Sequence, residues 1–491
     1  MQNYEGVKKG GTFKLSSDAE VQGELCLNGE ETTLDLYSGE FFDTHSSQDI
    51  LGSFYDRAKV SLIDCITLQG PGSGTKGEEH YHFSTVFPHF AIFGDEHISS
   101  SDRVICELSF TVDDATTLFY DFDVFGSVIN ARPHMERIAN EKEGGRIFEI
   151  GKNPHLFYFT GKHEILAINT VLGRVTINHG VSYTFPGPDG IHVDNTIKIN
   201  LAFRSNKSVK EAVAGVLDIL RFLEIIAGRP QNVSELTFVP ASTEEHPKVL
   251  AVYWCMRPRR DSGSESHKPH PADLPIQGAM QPDEFTSVLK HWLERNDEWR
   301  SARVRFSRAF AYQNRYGIDR LVGAANMFDI LPSSVYDATV ALPSDLEQAR
   351  DDARKAFKSL PASPERDSVL GALGRLGKPA LKRKVRSRSK LITETIPNQY
   401  PELDLVVDQA VDCRNYYVHG SVAKFNYGEH ADQVHFFTDT LEFVFAASDL
   451  VQAGWDIDRW TKQPSSLSHP FGQYRINYSQ QLSELKKLLG N

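Results

Sequence analysis

Two patterns of apolar and polar residues divide the chain. In roughly the first 200 residues, short runs such as Thr33–Tyr37 and Val104–Val112 alternate apolar with polar side chains, and turn residues such as Asn28-Gly29 separate them. Alternation with a period of two is typical of half-buried β-strands. From Pro282 onward, apolar residues instead recur every three to four positions, as they do on one face of an α-helix. The pattern therefore predicts a β-rich N-terminal part and a helical C-terminal part.

Three regions follow from these patterns. Residues 1–205 predict a β-rich domain, sandwich- or barrel-like, with a sensor or regulatory role. Residues 206–281 combine an amphipathic helix, two short strands and a final segment crowded with Pro, Ser, Gly, His and charged residues, which predicts a mobile linker. Residues 282–491 predict a bundle of α-helices. Within the first region, Gly70–Gly77 is rich in glycine and is expected to break the strands on either side.

Composition and charge limit the classes of protein that the chain can belong to. Its 491 residues carry 53 Lys and Arg against 65 Asp and Glu, so a nucleic-acid site must be a local basic patch. Five scattered cysteines argue against a disulfide framework and a zinc site. The chain shows neither a signal peptide nor a run of about 20 apolar residues. We therefore expect a soluble, cytoplasmic protein that does not enter membranes.

One C-terminal helix carries an arginine where apolar residues are expected. Pro401 and Glu402 suit the start of this helix, and Gly420 suits the position just past its end. At about 100° per residue, Arg414 falls in the middle of an apolar stripe. A guanidinium there needs a carboxylate, a phosphate or another polar partner, because it keeps its charge. The stripe is formed by Leu403, Val407, Ala410, Tyr417 and Val418.

Asn415 and His419 stand beside this arginine and complete a set of side chains suited to RNA cleavage. They are four residues apart, so they share one flank of the helix. RNA can be cut without a metal ion, because its 2′-OH is the nucleophile and histidine and arginine supply proton transfer and charge. One helix supplies a single histidine, whereas acid and base roles are most simply filled by two. We therefore expect catalysis at the interface of a homodimer, or of a higher homo-oligomer.

The segment Arg414-Asn-Tyr-Tyr-Val-His419 resembles the Arg-x4–6-His signature of HEPN ribonucleases. Over nearly its full length the chain is similar to the ApeA family of bacterial anti-phage proteins, through Gly11-Thr-Phe13, Val21–Leu25 and Val60–Cys65. The resemblance implies a β-rich N-terminal domain followed by a HEPN domain, with Arg414, Asn415 and His419 as catalytic residues and no cofactor. It also implies abortive infection, in which RNA, with tRNA as the suggested target, is cleaved after a phage-derived trigger is sensed.

A basic run lies directly upstream of the motif helix, from Lys378 to Lys390. It has seven basic residues and no acidic one, so it can hold RNA phosphates electrostatically. A solvated helix face or a linker without structure explains the same composition equally well. The candidate RNA-binding residues are Lys382, Arg383, Lys384, Arg386 and Arg388.

Two other motifs are weaker, and the function itself has an alternative. His80 and His82 would share one face of a strand, but no acidic residue follows at the spacing of a cupin-like metal site, so no metal is predicted. Gly70–Gly77 lacks the Lys-Ser/Thr end of a phosphate loop. A non-catalytic HEPN-type protein that binds a nucleotide or a partner is the alternative to a nuclease. A nuclease held inactive until it is triggered would resemble that alternative in a simple assay.

Overall fold

The structure, a computed structural model, describes residues 4–16, 19–45, 48–77, 79–141, 148–184, 187–242, 248–258, 268–312, 315–336, 342–377 and 379–490. Internal contacts divide the chain into two compact units. The first, called the β unit below, comprises Met1–Ala227 and Gln231–Leu293. The second, called the helical unit, comprises Gly228–Pro230 and Glu294–Asn491. The predicted order of a β-rich domain followed by a helical bundle is confirmed.

A closed barrel of six antiparallel strands forms the first part of the β unit. Its strands are β1 (Lys8–Lys14), β2 (Glu20–Cys26), β3 (Thr33–Ser38), β4 (Ile50–Phe54), β5 (Lys59–Lys76) and β6 (Glu79–Gly94). They pair in the order β6-β3-β2-β1-β4-β5, and β5 pairs with β6 to close the ring. Alternate side chains, among them Phe13 and Leu36, fill the interior. Gly52 leaves room for this core, because a Cβ there would lie 2.6 Å from the Phe13 ring.

The remaining strands of the β unit extend this sheet or form a separate hairpin. The further elements of the β unit are β7 (Ile105–Val112), α1 (Ala115–Leu118), β8 (Phe125–Ile129), α2 (Arg132–Glu141), β9 (His155–Phe159), β10 (Glu164–Asn169), β11 (Gly173–Tyr183), β12 (Val193–Lys207), α3 (Val209–Ala227), β13 (Val233–Pro240), β14 (Leu250–Trp254) and α4 (Pro282–Glu294). From β6 the sheet continues through β14, β13, β7, β12, β11 and β10, whereas β8 and β9 pair with each other.

Part of the predicted mobile linker is packed, and another part, residues 259–267, lies outside the described residues. Residues 273–278 are all buried. The Gly278 amide donates to the Leu118 carbonyl over 3.1 Å, and a Cβ at Gly278 would meet the Phe119 ring. The motif His267-Lys-Pro-His270 begins outside the described residues, but the His270 Nδ1 accepts from the Ala272 amide. Over the described residues 268–281, the turn residues therefore shape a packed loop of the β unit.

The glycine-rich segment Gly70–Gly77 was wrongly predicted to break the strands. Strand β5 continues through it to Lys76 and stays paired with β6, with irregular register between Gln69 and Gly72. Gly72 and Gly74 serve side-chain packing, whereas Gly77, with a φ of 67°, lies in the turn that follows β5. A Cβ at Gly72 or Gly74 would lie 2.5 Å from the ring of Phe83 or Tyr81 on the facing strand. The glycines thus let two aromatic rings lie flat across the strand.

Helices make up the helical unit. Apolar periodicity in the sequence predicts helices near residues 283–299, 300–316, 318–331, 344–358, 365–375, 402–419 and 433–454. A helix lies in each of these segments, although the first break falls at Arg295 and not between residues 299 and 300. A helix over residues 381–395 was one of the alternatives left open for the basic run, and the helices at 457–461 and 470–488 were not predicted. In α13 the apolar residues do recur at helical spacing, separated by many polar ones. Among the described residues, no helix is both long and apolar enough to cross a membrane. The helices are α5 (Asn296–Phe310), α6 (Ile318–Asp329), α7 (Ser344–Lys358), α8 (Pro364–Arg375), α9 (Leu381–Thr395), α10 (Leu403–His419), α11 (Ala431–Gln452), α12 (Ile457–Thr461) and α13 (Pro470–Leu488).

A buried carboxylate, Asp449 of α11, collects arginines inside the helical unit. Arg303 donates to both of its oxygens, over 2.9 and 3.0 Å, and Arg295 lies 2.8 Å away. Together with Arg388, these guanidinium groups also face the ring of Trp299. Burial alone would raise the pKa of Asp449, but Arg303 and Arg295 outweigh it and lower that pKa. Arg303 therefore lies inside the bundle.

Candidate active site

Helix α10 positions the predicted motif at the edge of the helical unit. It ends at His419 because Gly420 adopts a left-handed conformation (φ 66°), and the Gly420 amide donates to the Tyr416 carbonyl. Such a glycine ends a helix without the strain that a Cβ would bring. The predicted ends of this helix are thus confirmed to within two residues.

The buried face of α10 agrees with the predicted stripe only over its first three turns. Leu403, Val407 and Ala410 are buried as predicted. Val418 is exposed and Tyr417 is partly exposed, so the last turn does not continue the packed face. Burial falls after Cys413, and the motif therefore lies where the helix leaves the core.

Arg414 holds the other two motif residues. Its Nη1 donates to Asn415 Oδ1 over 3.0 Å and lies 3.0 Å from His419 Nε2. An arginine has only donors, so a hydrogen bond between these two atoms requires Nε2 as the acceptor. The side chain of Arg414 is 12% exposed, whereas His419 is exposed. The structure thus brings Arg414, Asn415 and His419 into one hydrogen-bonded cluster with the imidazole open to solvent.

Two side chains of α6 support this arginine, and the sequence analysis missed both. Asn326 Oδ1 accepts from Arg414 Nη2 over 2.8 Å, and Asp329 Oδ2 lies 4.0 Å from the same nitrogen. Residues three apart share one face of a helix, so α6 presents both to α10. Asp329 also contacts Lys384 of α9, whose Nζ donates to the Asp329 carbonyl over 2.9 Å. Asp329 therefore lies between two cations, Arg414 and Lys384.

The basic run upstream of the motif forms helix α9, and most of its charges contact other groups of the chain. Arg386 donates to Asp408 through Nε over 2.7 Å, and Lys382 lies 2.6 Å from Asp412. Ser389 donates to Asp404 over 2.9 Å, so three carboxylates spaced four residues apart on α10 face α9. We call Asp404, Asp408 and Asp412 the acidic ladder.

The other two candidate RNA-binding residues of the run differ in exposure. Arg388 is buried, where it donates to Ser448 and Gln452 and faces Trp299. Burial lowers the pKa of Arg388 to about 10. Arg383 is exposed. Because Lys382 and Arg386 contact the acidic ladder, their binding to RNA phosphates would require those contacts to open.

The histidines weighed as metal ligands lie in the barrel. His82 packs edge-on against Phe41, and His80 Nδ1 lies 3.4 Å from Thr75 Oγ1. Within the described part of the chain, no group of three or more His, Cys, Asp or Glu residues is arranged to hold a metal ion. His80 is exposed and His82 is partly exposed on β6.

Comparison with known protein families gives two matches. The family described as ApeA N-terminal domain 1 matches residues 8–292, which end one residue before the end of the β unit. The family described as Apea-like HEPN matches residues 322–459. The second match contains the whole motif, together with Asn326 and Asp329. No curated protein and no solved structure matches the chain.

Proposed function

The chain belongs to the ApeA family and carries an Apea-like HEPN domain, and on this premise we propose that it is an endoribonuclease of anti-phage defence. The domain supports a nuclease in general. Our proposal goes further, to RNA cleavage without a metal ion in abortive infection, with tRNA as the expected target. The observation that carries it is the position of Arg414 Nη1, 3.0 Å from both Asn415 Oδ1 and His419 Nε2.

The geometry suggests how the three side chains divide the work. A base takes the proton of the 2′-OH, and the resulting oxygen attacks phosphorus. The bond from phosphorus to the 5′-oxygen breaks, and that oxygen takes a proton from an acid. A phosphate bound to Arg414 competes with His419 Nε2 for the hydrogen bond from Arg414 Nη1. The imidazole is then released to act as base or acid, while Arg414 stabilises the charge on phosphorus and Asn415 orients both groups.

A second copy of the chain would supply the second histidine. The apolar side chains Val418 and Val422 are exposed next to His419, and such residues suit contact with another protein surface. A two-fold dimer through this surface places two motifs near each other. Sedimentation velocity on the purified protein is expected to give twice the mass of one chain. A monomer that cleaves RNA would exclude the shared site.

The test of the proposed function is cleavage of total cellular RNA and purified tRNA in the presence of EDTA. We expect products with 2′,3′-cyclic phosphate ends, because the 2′-oxygen attacks phosphorus. The reaction is run with and without lysate of phage-infected cells, so that a nuclease awaiting its trigger is also detected. Intact RNA under both conditions, together with tight binding of a nucleotide or protein partner, would favour the non-catalytic alternative.

Asn326 offers a prediction about positioning. Asn326→Ala removes the acceptor that holds Arg414 Nη2, and a hydrogen bond to a charged group contributes about 1.5–3 kcal/mol. We expect kcat/KM for RNA cleavage to fall roughly 10- to 100-fold, measured under conditions in which the wild type cleaves. Asn326→Asp is the matched control, because it keeps the accepting oxygen and should retain most activity. Equal rates for Asn326→Ala and the wild type would show that Arg414 needs no support from α6.

A further inference from the structure

A large cavity is lined by residues of the β unit, whereas the motif belongs to the helical unit, and the cavity has no part in the proposed cleavage. It has a volume of about 840 Å³ and lies among α1, the β8–β9 hairpin and strands β11 and β12. Ligand sites in proteins commonly have volumes of about 300–1,000 Å³ and apolar linings. Aromatic residues dominate this lining: Phe119, Tyr120, Phe122, Phe125, Phe157 and Phe159.

One buried polar group points to a missing partner. His179 lines the cavity, is 5% exposed, and its Nε2 has no hydrogen-bond partner within the described part of the chain. Its other ring nitrogen, Nδ1, lies 3.1 Å from Asn195 Nδ2. The imidazole also packs edge-on against the rings of Phe125 and Phe159. Buried polar atoms in proteins are nearly always hydrogen-bonded, so this nitrogen is suited to contact a ligand.

The charges around the cavity restrict the class of ligand. Among the residues that the structure describes, the lining contains no lysine or arginine to bind a phosphate or carboxylate. The carboxylate in the lining, Asp121, lies 2.6 Å from Lys162 and is thereby neutralised. Burial lowers the pKa of His179, so its imidazole is neutral near pH 7. An uncharged ligand fits these surroundings better than an anion.

We propose that this cavity binds a small, uncharged heteroaromatic molecule of the nucleoside class. Its flat ring would pack against the aromatic side chains, as aromatic rings do with favourable geometry. Its polar edge would form a hydrogen bond with His179 Nε2. Phe122 and Phe157, which are exposed at the mouth of the cavity, would be partly covered by the ligand. The β unit would then carry a small-molecule site of its own, independent of whether the helical unit cleaves RNA.

The test uses the full chain and four probes: adenosine, guanosine, cytidine and uridine. Binding is measured by saturation-transfer NMR and by calorimetry, with N-acetyltryptophanamide as a fifth probe that represents an aromatic peptide side chain. We expect at least one nucleoside to bind. No binding by any probe, or binding of N-acetyltryptophanamide alone, would overturn the proposal.

Variants locate the binding in the cavity. Val193 lines the cavity and is 51% exposed, so Val193→Trp fills the space without disturbing a core. Val171 is 49% exposed on a turn away from the cavity, and Val171→Trp is its matched control. We expect at least tenfold weaker binding for the first variant and unchanged binding for the second. His179→Phe keeps an aromatic ring but removes Nε2, and it should weaken binding about tenfold. Equal affinity of Val193→Trp, Val171→Trp and His179→Phe for the nucleoside would show that it does not bind in this cavity. RNA cleavage is not read out, so this result does not depend on the proposed function.

Discussion

His419→Ala is expected to abolish RNA cleavage while the protein stays folded. General acid–base catalysis by a positioned side chain contributes about 10²–10⁴-fold to a rate, and His419 is the imidazole bound to Arg414. Its side chain is exposed at the end of α10, so its removal leaves the core intact. We therefore expect the rate of tRNA or total RNA cleavage to fall by about 10³-fold, with an unchanged melting temperature. The rate is measured by gel electrophoresis of labelled RNA with EDTA present.

His134→Ala is the control for this experiment. His134 is an exposed histidine on α2 and belongs to the β unit, whereas the motif belongs to the helical unit. This variant should cleave RNA as fast as the wild type. If His419→Ala cleaved at the wild-type rate in the same oligomeric state, the proposed acid–base role of His419 would be wrong. If both variants lost activity, the loss would reflect handling of the protein and not the site.

Asp449→Asn is expected to cause a large loss of stability in the helical unit. The carboxylate is buried among Arg303, Arg295 and Arg388. The amide of asparagine would turn a donor toward guanidinium groups that can only donate. Breaking a buried ion pair by removing one partner costs about 3–5 kcal/mol. We expect the free energy of unfolding of the helical unit to fall by about that amount, measured by urea unfolding at pH 7.

Asp432→Asn on the same helix is the matched control. The side chain of Asp432 is 89% exposed, and this variant should unfold like the wild type.

The pH dependence of the free energy of unfolding gives a second test of the role of Asp449. The folded-state pKa of Asp449 is lowered, so its contribution is fully present above the unfolded pKa of about 3.9 and is lost as the pH falls through the folded value. The difference between Asp449→Asn and the wild type should therefore shrink below about pH 4. An unchanged free energy of unfolding in Asp449→Asn would mean that the arginines find other acceptors.

Local signals in the sequence were enough to predict the motif helix. A proline-glutamate start, a glycine end and apolar residues at helical spacing all act within one element, so α10 could be placed closely. The same local periodicity revealed most other helices and the alternating strands. It could not separate a barrel from a sandwich, because closure depends on the pairing of β5 with β6 around the whole ring.

The surroundings of the motif could not be predicted, because they come from distant parts of the chain. Asn326 is 88 residues before Arg414, and nothing near it in sequence marks it as a partner of that arginine. The basic run posed a different problem: composition alone cannot tell whether lysines and arginines face solvent or contact carboxylates. Only the packing of α9 beside α10 brings Lys382 to Asp412 and Arg386 to Asp408.

The acidic ladder has a consequence for how selective the chain is among nucleic acids. Basic helices attract any polyanion over long distances, and the attraction grows as the salt concentration falls. Here Asp408 and Asp412 cancel much of the field of Arg386 and Lys382, and the whole chain carries a formal charge of −12. Under the proposed function, abundant ribosomal and messenger RNA would therefore not be concentrated on this face by long-range attraction. A substrate RNA would have to be recognised by its shape at close range to Arg414.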